Sequence, residues 1–323
     1  MFLASAGQQL WVSGLNRVRG CSASNLRDWF RVGNYYLDHP PERRNLRIEP
    51  ADQTEFNGSL ATDIRRYASA AIESLDRIVS YPSQPQAAAW CLIRAYYASY
   101  FAANVLMRLT GSFSTNLAAA EIGQIKTTAS LYGVPAPGGN TKRSLVSGVY
   151  YGGMSPISGS TTLVLKSMDG ITGGVHKQFW AGFHEWLDRS QRDIKLGSLT
   201  AQEQKRAQAE YKLVSGALCY DSHSNGHWLS EFRNAVNYRL EHGVWHPYET
   251  TAWNMDRLVQ IARDAIANPD VARINSARAL PQVERAMETC CLLVGWMLAS
   301  VSLLEKSAGP QRHFLNGLPS ASL

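Results

Sequence analysis

Cysteine is scarce in this chain, and its spacing excludes the common cysteine-based sites. The 323 residues contain five cysteines, and no two of them form a C-x-x-C pair. If the others formed disulfide bonds, one thiol would still be left over, so the pattern predicts reduced thiols and a cytoplasmic location. The adjacent Cys290 and Cys291 lie in an apolar segment and are interpreted as small core residues.

Signatures of metal and phosphate chemistry are also missing. No group of histidine, aspartate and glutamate residues has the spacing of a zinc site, and the eight-residue step from His176 to His184 does not pair them on adjacent helical turns. The glycine-rich part of the chain contains neither G-x-x-x-x-G-K-S/T nor G-x-G-x-x-G. We therefore expect no metal ion, no cofactor and no phosphate loop of these types.

Long uncharged segments and sequence repeats are absent as well. The strongest candidate for a membrane span, Thr289–Leu304, has 16 uncharged residues, whereas a span needs about 20. The N-terminal segment has neither a basic region nor a long apolar region, so it is a poor signal peptide. No internal repeat is visible, which argues against a solenoid. We therefore expect no membrane partner.

The positive net charge allows two interpretations. The formal net charge is +6 and the sequence pI is about 9.1. This balance favours an anionic partner such as RNA, DNA or a nucleotide. The charges are scattered rather than grouped in runs, however, and a small positive excess is also typical of a protein that is merely soluble. Both interpretations stay open.

What the chain does contain is a series of amphipathic helical patterns. Asp52–Tyr81 predicts a long helix, and Gln86–Thr110 predicts a second one that returns antiparallel after a short break. We therefore predict a mainly α fold, an antiparallel helical bundle. The other predicted helices are Leu26–Leu37, Asn116–Tyr132, Gly174–Lys195, Thr200–Cys219, Thr250–Ala267 and Pro281–Lys306.

One region interrupts the helical patterns. Residues 133–174 hold ten of the 25 glycines and two β-branched runs, which predict a small glycine-rich β-hairpin inserted into the bundle. The expected organisation follows from this break. It consists of an N-terminal helical extension (1–50), the first half of the bundle (51–132), the insertion (133–174), the second half (175–308) and a flexible tail (309–323).

The segment richest in chemically useful side chains is Asn225–Tyr248. Its apolar spacing predicts a helix that begins near Ser224 or Asn225 and ends at Gly243. On this helix Asn237 follows Arg233 by one turn. His242 would lie in the last turn, where the helix dipole would raise its affinity for a proton, and His246 would lie on the exit loop before Pro247.

Two stretches resemble the HEPN superfamily of helical nucleotide-binding domains. Arg233-Asn234 followed by His242-Gly243 is similar to the motif of HEPN ribonucleases, in which an arginine and a polar residue precede a histidine by a few positions. Ala87–Leu109 resembles the tyrosine- and alanine-rich HEPN helix, whose Tyr-Tyr-Ala segment packs under the catalytic helix. The resemblance implies a core of four or five helices.

The histidine of the motif has two candidates. Eight residues separate Arg233 from His242, and six separate Arg239 from His246. Tyr238 stands where a common form of the motif has its histidine. The resemblance therefore leaves the choice between the two histidines open.

The resemblance implies a metal-independent endoribonuclease, acting as a toxin or antiphage defence effector. By this resemblance Arg233 would hold the scissile phosphate and Asn234 would orient it. His242 would be the general acid or base, with His246 as its rival, and Tyr238 would donate a hydrogen bond. The implied substrate-binding residues are Arg239 and Asn237. The implied partners are RNA, a second copy of the chain that completes the site, and an antitoxin or other defence-system protein.

Two other functions stay open at this point. One is a non-catalytic HEPN-like module that binds nucleic acid or a nucleotide. The other is a helical protein-interaction subunit, in which Arg233 pairs with Glu231 and His242-Gly243 is an ordinary helix end.

Overall fold

The fold is mainly α, as the sequence predicts. The computed structural model describes residues 1–21, 24–79, 88–137, 142–155, 160–221, 223–246, 254–277, 279–309 and 313–319. The helices in these residues are α1 (Phe2–Gly7), α2 (Leu26–Val32), α3 (Gln53–Val79), α4 (Ala88–Leu109), α5 (Ala119–Leu131), α6 (Val175–Asp193), α7 (Ala201–Leu218), α8 (Trp228–Tyr238), α9 (Met255–Ala267), α10 (Ala272–Ala277) and α11 (Gln282–Ser307). The strands are β1 (Tyr35–Tyr36), β2 (Leu46–Pro50), β3 (Ser112–Leu117), β4 (Gly148–Ser155) and β5 (Ser160–Ser167).

Helix α4 lies at the centre of the helical layer. It packs against α3, α11 and α8, and most of its residues are buried. Small side chains on several faces, including Ala95, Ala98 and Ala102, allow these neighbours to approach closely without leaving voids. A helix that is apolar around most of its circumference is expected to be buried between neighbours, as the sequence pattern indicates.

The first two long helices run antiparallel. Asp63, near the start of α3, pairs with Arg108 at the end of α4, with 3.1 Å between Oδ2 and Nε. Tyr67, one turn further along α3, packs against Phe101, one to two turns further back along α4, with 6.2 Å between ring centroids. The antiparallel arrangement is as predicted, while the predicted break at residues 81–85 lies outside the described residues.

The β-structure is larger than the sequence predicts. The five strands form one sheet in the order β1-β2-β5-β4-β3, and all pairings are antiparallel. β4 and β5 are the predicted hairpin strands, but the hairpin is not a separate insertion. It is flanked by β2 from the N-terminal region and by β3, which directly follows α4.

The predicted N-terminal helical extension (1–50) is therefore wrong in part. α2 ends at Val32 because Gly33 adopts a left-handed conformation with φ 79° and closes the helix. The next residues, Tyr35 and Tyr36, pair with Pro50 and Glu49 of β2 instead of continuing the helix. The predicted helix from residue 116 likewise begins only at Ala119, since β3 extends to Leu117.

The expected flexible tail (309–323) contains a short buried segment among its described residues. His313, Phe314 and Leu315 are 2%, 0% and 1% exposed, respectively, so this segment is part of the core. The other domain boundaries stay predictions. By length and composition α11 is the one described helix that could cross a membrane, and 78% of its most apolar window is buried, as in the core of a soluble protein.

Helix α6 connects the sheet to the helical layer. It contacts β3 and β4 on one side and α4, α7 and α8 on the other. Gly182 makes the approach to β4 close, because a Cβ atom at this position would lie 3.1 Å from the ring of Tyr151. The N-terminal turns of α6 are thereby held beside α4 and α8.

The glycines of β4 provide a test of the sheet. A Cβ at Gly152 would lie 1.9 Å from the carbonyl oxygen of Val164 on β5, whereas a Cβ at Gly148 would meet nothing within 4 Å. Both have nearly the same φ, 153° and 154°. We expect Gly152→Ala to lower the free energy of unfolding by at least about 2 kcal/mol more than Gly148→Ala, measured by chemical denaturation. Equal losses would show that the close strand contact is absent.

Candidate functional site

Helix α8 is shorter than the sequence predicts. It begins at Trp228, with His227 as its N-cap, and it ends at Tyr238, with Arg239 as its C-cap. The chain then reverses, because Leu240, at φ 55°, leaves the helical conformation. Trp245 fixes the reversal by donating its indole N–H to the carbonyl oxygen of Val236, at 2.6 Å. The predicted helix from Ser224 or Asn225 to Gly243 is therefore wrong at both ends.

His242 lies outside the helix, and its predicted behaviour is wrong. Its backbone φ is 70°, and its ring packs against Phe232 with 5.0 Å between centroids. Burial lowers the pKa of His242, whereas a position in the last helical turn was expected to raise it. The Nε2 atom is buried and has no hydrogen-bond partner among the described residues. The His242 ring therefore packs against Phe232.

Arg233 is a buried cation. The residue is only 6% exposed. Nη1 donates a hydrogen bond to the hydroxyl oxygen of Tyr238, at 3.1 Å. The guanidinium carbon also lies 5.3 Å from the ring centroid of Tyr96 and 5.4 Å from that of Tyr238. Two aromatic rings thus hold the guanidinium group in place.

In the described part of the chain, no carboxylate forms an ion pair with Arg233. Glu231, the partner considered from the sequence, forms ion pairs with Lys177 and with Arg239 instead, the latter at 3.8 Å. The Nε of Arg233 is also buried without an acceptor among the described residues. Arginine keeps its charge in proteins, and a buried charge without a counter-ion is costly. The site therefore favours the arrival of an anion.

A chain of hydrogen bonds lies directly beside Arg233. Trp180 of α6 donates its indole N–H to the hydroxyl oxygen of Tyr96, at 3.1 Å. Because an indole can only donate, the Tyr96 hydroxyl must direct its own hydrogen elsewhere. Its second partner is Nδ1 of His176, at 2.9 Å. When the Tyr96 hydroxyl donates to this nitrogen, the neutral ring of His176 carries its proton on Nε2.

His176 is a residue that sequence reasoning did not assign to this site. Burial, with a smaller contribution from the positive charge of Arg233, lowers the pKa of His176 to about 4. The imidazole is therefore neutral at pH 7. Burial also raises the pKa of Tyr96, so its hydroxyl stays protonated. The feature of the sequence that pointed to this region is the Tyr-Tyr-Ala segment at residues 96–98. It lies on α4, which packs against α8.

The other predicted site residues are more exposed. Tyr238 is 70% exposed. Arg239 is about half exposed and pairs with Glu241, with 2.6 Å between Nε and Oε1. Asn234 and Asn237 are half-buried, and His246 is exposed. The structure thus brings Tyr238 to Arg233 and leaves a polar surface around the end of α8.

The chemistry available here is that of a cation, hydroxyl groups and imidazoles. Among the residues that the structure describes, no three His, Cys, Asp or Glu side chains lie close enough together to hold a metal ion. No family model, curated protein or solved structure matches the chain. The function proposed for this site is therefore argued from its geometry and from the sequence resemblance.

The environment of His176 predicts a pH dependence of stability. Its folded pKa of about 4 is below the model value of 6.5, so the unfolded chain binds more protons between these values. The contribution of neutral His176 to the free energy of unfolding is fully present above pH 6.5. It is lost as the pH falls toward 4, because the unfolded chain then takes up a proton that the folded chain does not. We expect this fall in the free energy of unfolding to be about 1 to 2 kcal/mol smaller in His176→Asn than in the wild type. The difference is smaller than the full pKa shift of His176 implies, because water screens a partly solvated ring.

Denaturant unfolding of the wild type and the variant at pH 7.5 and pH 5 measures this difference. Other histidines with lowered pKa values, such as His242, act in the same direction in both proteins and cancel in the comparison. An identical pH dependence in the two proteins would contradict the buried, neutral state of His176.

Proposed function

We propose that this chain is a HEPN-like RNA-binding protein that cleaves RNA without a metal ion, with Arg233 holding the scissile phosphate. The observation that carries the proposal is the buried guanidinium of Arg233, which has no carboxylate partner and a free Nε–H among the described residues. A phosphate oxygen supplies both the missing charge and the missing acceptor. The resemblance of Arg233-Asn234 to the HEPN motif supports the same assignment.

Tyr238 gives a phosphate access to the buried arginine. Its hydroxyl accepts from Nη1 of Arg233, yet its side chain is 70% exposed. Rotation of Tyr238 toward solvent would free Nη1 in addition to the unpaired Nε, so the guanidinium group would offer donors at two nitrogen atoms to an arriving phosphate. Tyr238 therefore acts as a replaceable ligand of Arg233.

The surface around the end of α8 suits a single-stranded nucleic acid. Trp90 on α4 is 49% exposed and meets Trp245 edge to face, with 5.6 Å between ring centroids. Tyr238 adds a third aromatic ring on α8, and Arg239 adds a cation. Exposed aromatic rings and cations together bind the bases and the backbone of single strands without requiring a particular sequence.

Metal-free cleavage further requires a group that moves protons. The reaction removes the proton of the 2′-hydroxyl, forms a bond from this oxygen to phosphorus, and protonates the departing 5′-oxygen. His246 is exposed on the segment that follows α8, while His242 would have to turn its buried Nε2 toward the substrate. We assign the proton transfer to His246 before His242, in a site that two copies of the chain complete.

The orientation of His242 favours a second candidate function. If proton transfer depended on this residue, the folded chain would lack a catalytic histidine in position, because the ring faces Phe232. The chain would then bind RNA or a nucleotide at Arg233 without cleaving it. The two candidates share the phosphate site and differ only in the reaction.

A cleavage and binding assay tests the proposal. Purified protein is incubated with end-labelled single-stranded RNA in EDTA, and product ends and binding are measured for wild type, Arg233→Met, His246→Ala and His242→Ala. We expect 2′,3′-cyclic phosphate ends from the wild type, an affinity about tenfold lower for Arg233→Met, and loss of cleavage with retained binding for His246→Ala. Arg192→Ala, an exposed arginine near the opposite end of α6, is the matched control.

The stability of Arg233→Met distinguishes a ligand site from a structural arginine. Replacing an unpaired buried charge with an apolar side chain of similar length should leave the melting temperature unchanged or raise it. A large fall in melting temperature together with unchanged RNA binding would refute the phosphate role of Arg233. Binding without cleavage by the wild type would favour the second candidate.

A further inference from the structure

We propose that a separate arginine-lined cavity in this chain binds a nucleoside monophosphate. The cavity has a volume of about 680 Å³ and lies between α2, α3, α4, β3 and the first turns of α6. This volume is in the usual range of small-molecule sites. No residue of α8 lines it, so the inference is independent of the function proposed for Arg233.

The walls of the cavity are positively charged. Four arginines and two aspartates line it, and Glu121 pairs with two of these arginines, which leaves one positive charge in excess. The arginines are Arg27, Arg31, Arg66 and Arg108, and the aspartates are Asp28 and Asp63. Low-dielectric walls concentrate such a potential in a concave site, so the cavity attracts anions.

Three of the four arginines have donors to spare. Arg27 and Arg31 both direct Nε to one oxygen of the buried Glu121, at 2.9 and 2.6 Å. This contact fixes the two stems while the Nη groups have no acceptor among the described residues, and both side chains remain about half exposed. Arg66 is exposed, and no partner for it lies in the described part of the chain. These groups can hold a phosphate.

Arg108 belongs to the framework of the cavity. It is 2% exposed, pairs with Asp63 and donates a second hydrogen bond to Oδ1 of Asn104, at 2.7 Å. Its guanidinium carbon lies 4.6 Å from the ring centroid of Tyr67. These contacts satisfy the charge of Arg108 and hold the Tyr67 ring in position.

Aromatic side chains also line the cavity. Tyr67 and Phe101 lie with 6.2 Å between ring centroids, and Tyr100 and Phe179 with 4.3 Å. A planar base can pack against such rings. Val175, the first residue of α6, also lines the cavity, so the positive end of a 19-residue helix faces it. A ligand that carries both a phosphate group and an aromatic base matches this combination of cations and aromatic rings.

Isothermal titration calorimetry with AMP, GMP, CMP and UMP tests this proposal on the full chain. We expect at least one of the four to bind at least tenfold more tightly than the corresponding nucleoside and than inorganic phosphate. Arg66→Ala and Arg31→Ala should each weaken this binding at least fivefold. Arg65→Ala is the matched control, because Arg65 is the preceding residue of α3 and does not line the cavity.

The outcomes separate this proposal from the function assigned to Arg233. Arg233→Met should keep nucleotide binding, and Arg66→Ala should keep RNA cleavage. No binding of any of the four nucleotides by the wild type would overturn the inference, and so would equal affinity for inorganic phosphate. An equal loss of binding in Arg65→Ala and Arg66→Ala would also overturn it, because the effect would then come from net charge alone.

Discussion

The burial of most of α4 is the constraint on which the rest of the structure depends. A helix with neighbours on every side must be apolar and small, and each polar group that it carries needs a partner from another element. Arg108 obtains this partner from α3 through Asp63, and Tyr96 obtains its partners from α6 through Trp180 and His176. The polar contacts that satisfy α4 therefore also fix the positions of the elements around it.

The long helices could be predicted because their information is local. The repeated apolar positions of α3, α4 and α11 lie within each segment, so the pattern alone indicates both the helix and its burial. The sheet could not be predicted in the same way. β1 has only two residues, and β2 has five and pairs with β5 from a distant part of the chain. Strands this short carry too little periodicity to be recognised without their partners.

The candidate site around Arg233 likewise combines residues that the sequence predicts with one that it does not. Arg233 and Tyr238 could be found because they share one helix, but His176 is 57 positions before Arg233 and approaches it only through the packing of α6 against α4 and α8. The end of α8 was mispredicted because Leu240 and His242 adopt positive φ values, which residues with side chains rarely do. Sequence patterns therefore identified the cation but not the histidine beside it.

The close contact at Gly182 has a consequence for how this protein can diverge. Gly182 follows His176 by six residues on α6, about 9 Å along the helix axis. A Cβ atom here would lie 3.1 Å from the ring of Tyr151, so either the ring or α6 would have to shift slightly. The close packing of α6 at Gly182 thus helps to hold His176 against Tyr96. A sequence could lose the arrangement around Arg233 through one change on the sheet side of α6, while every residue of that arrangement stayed the same.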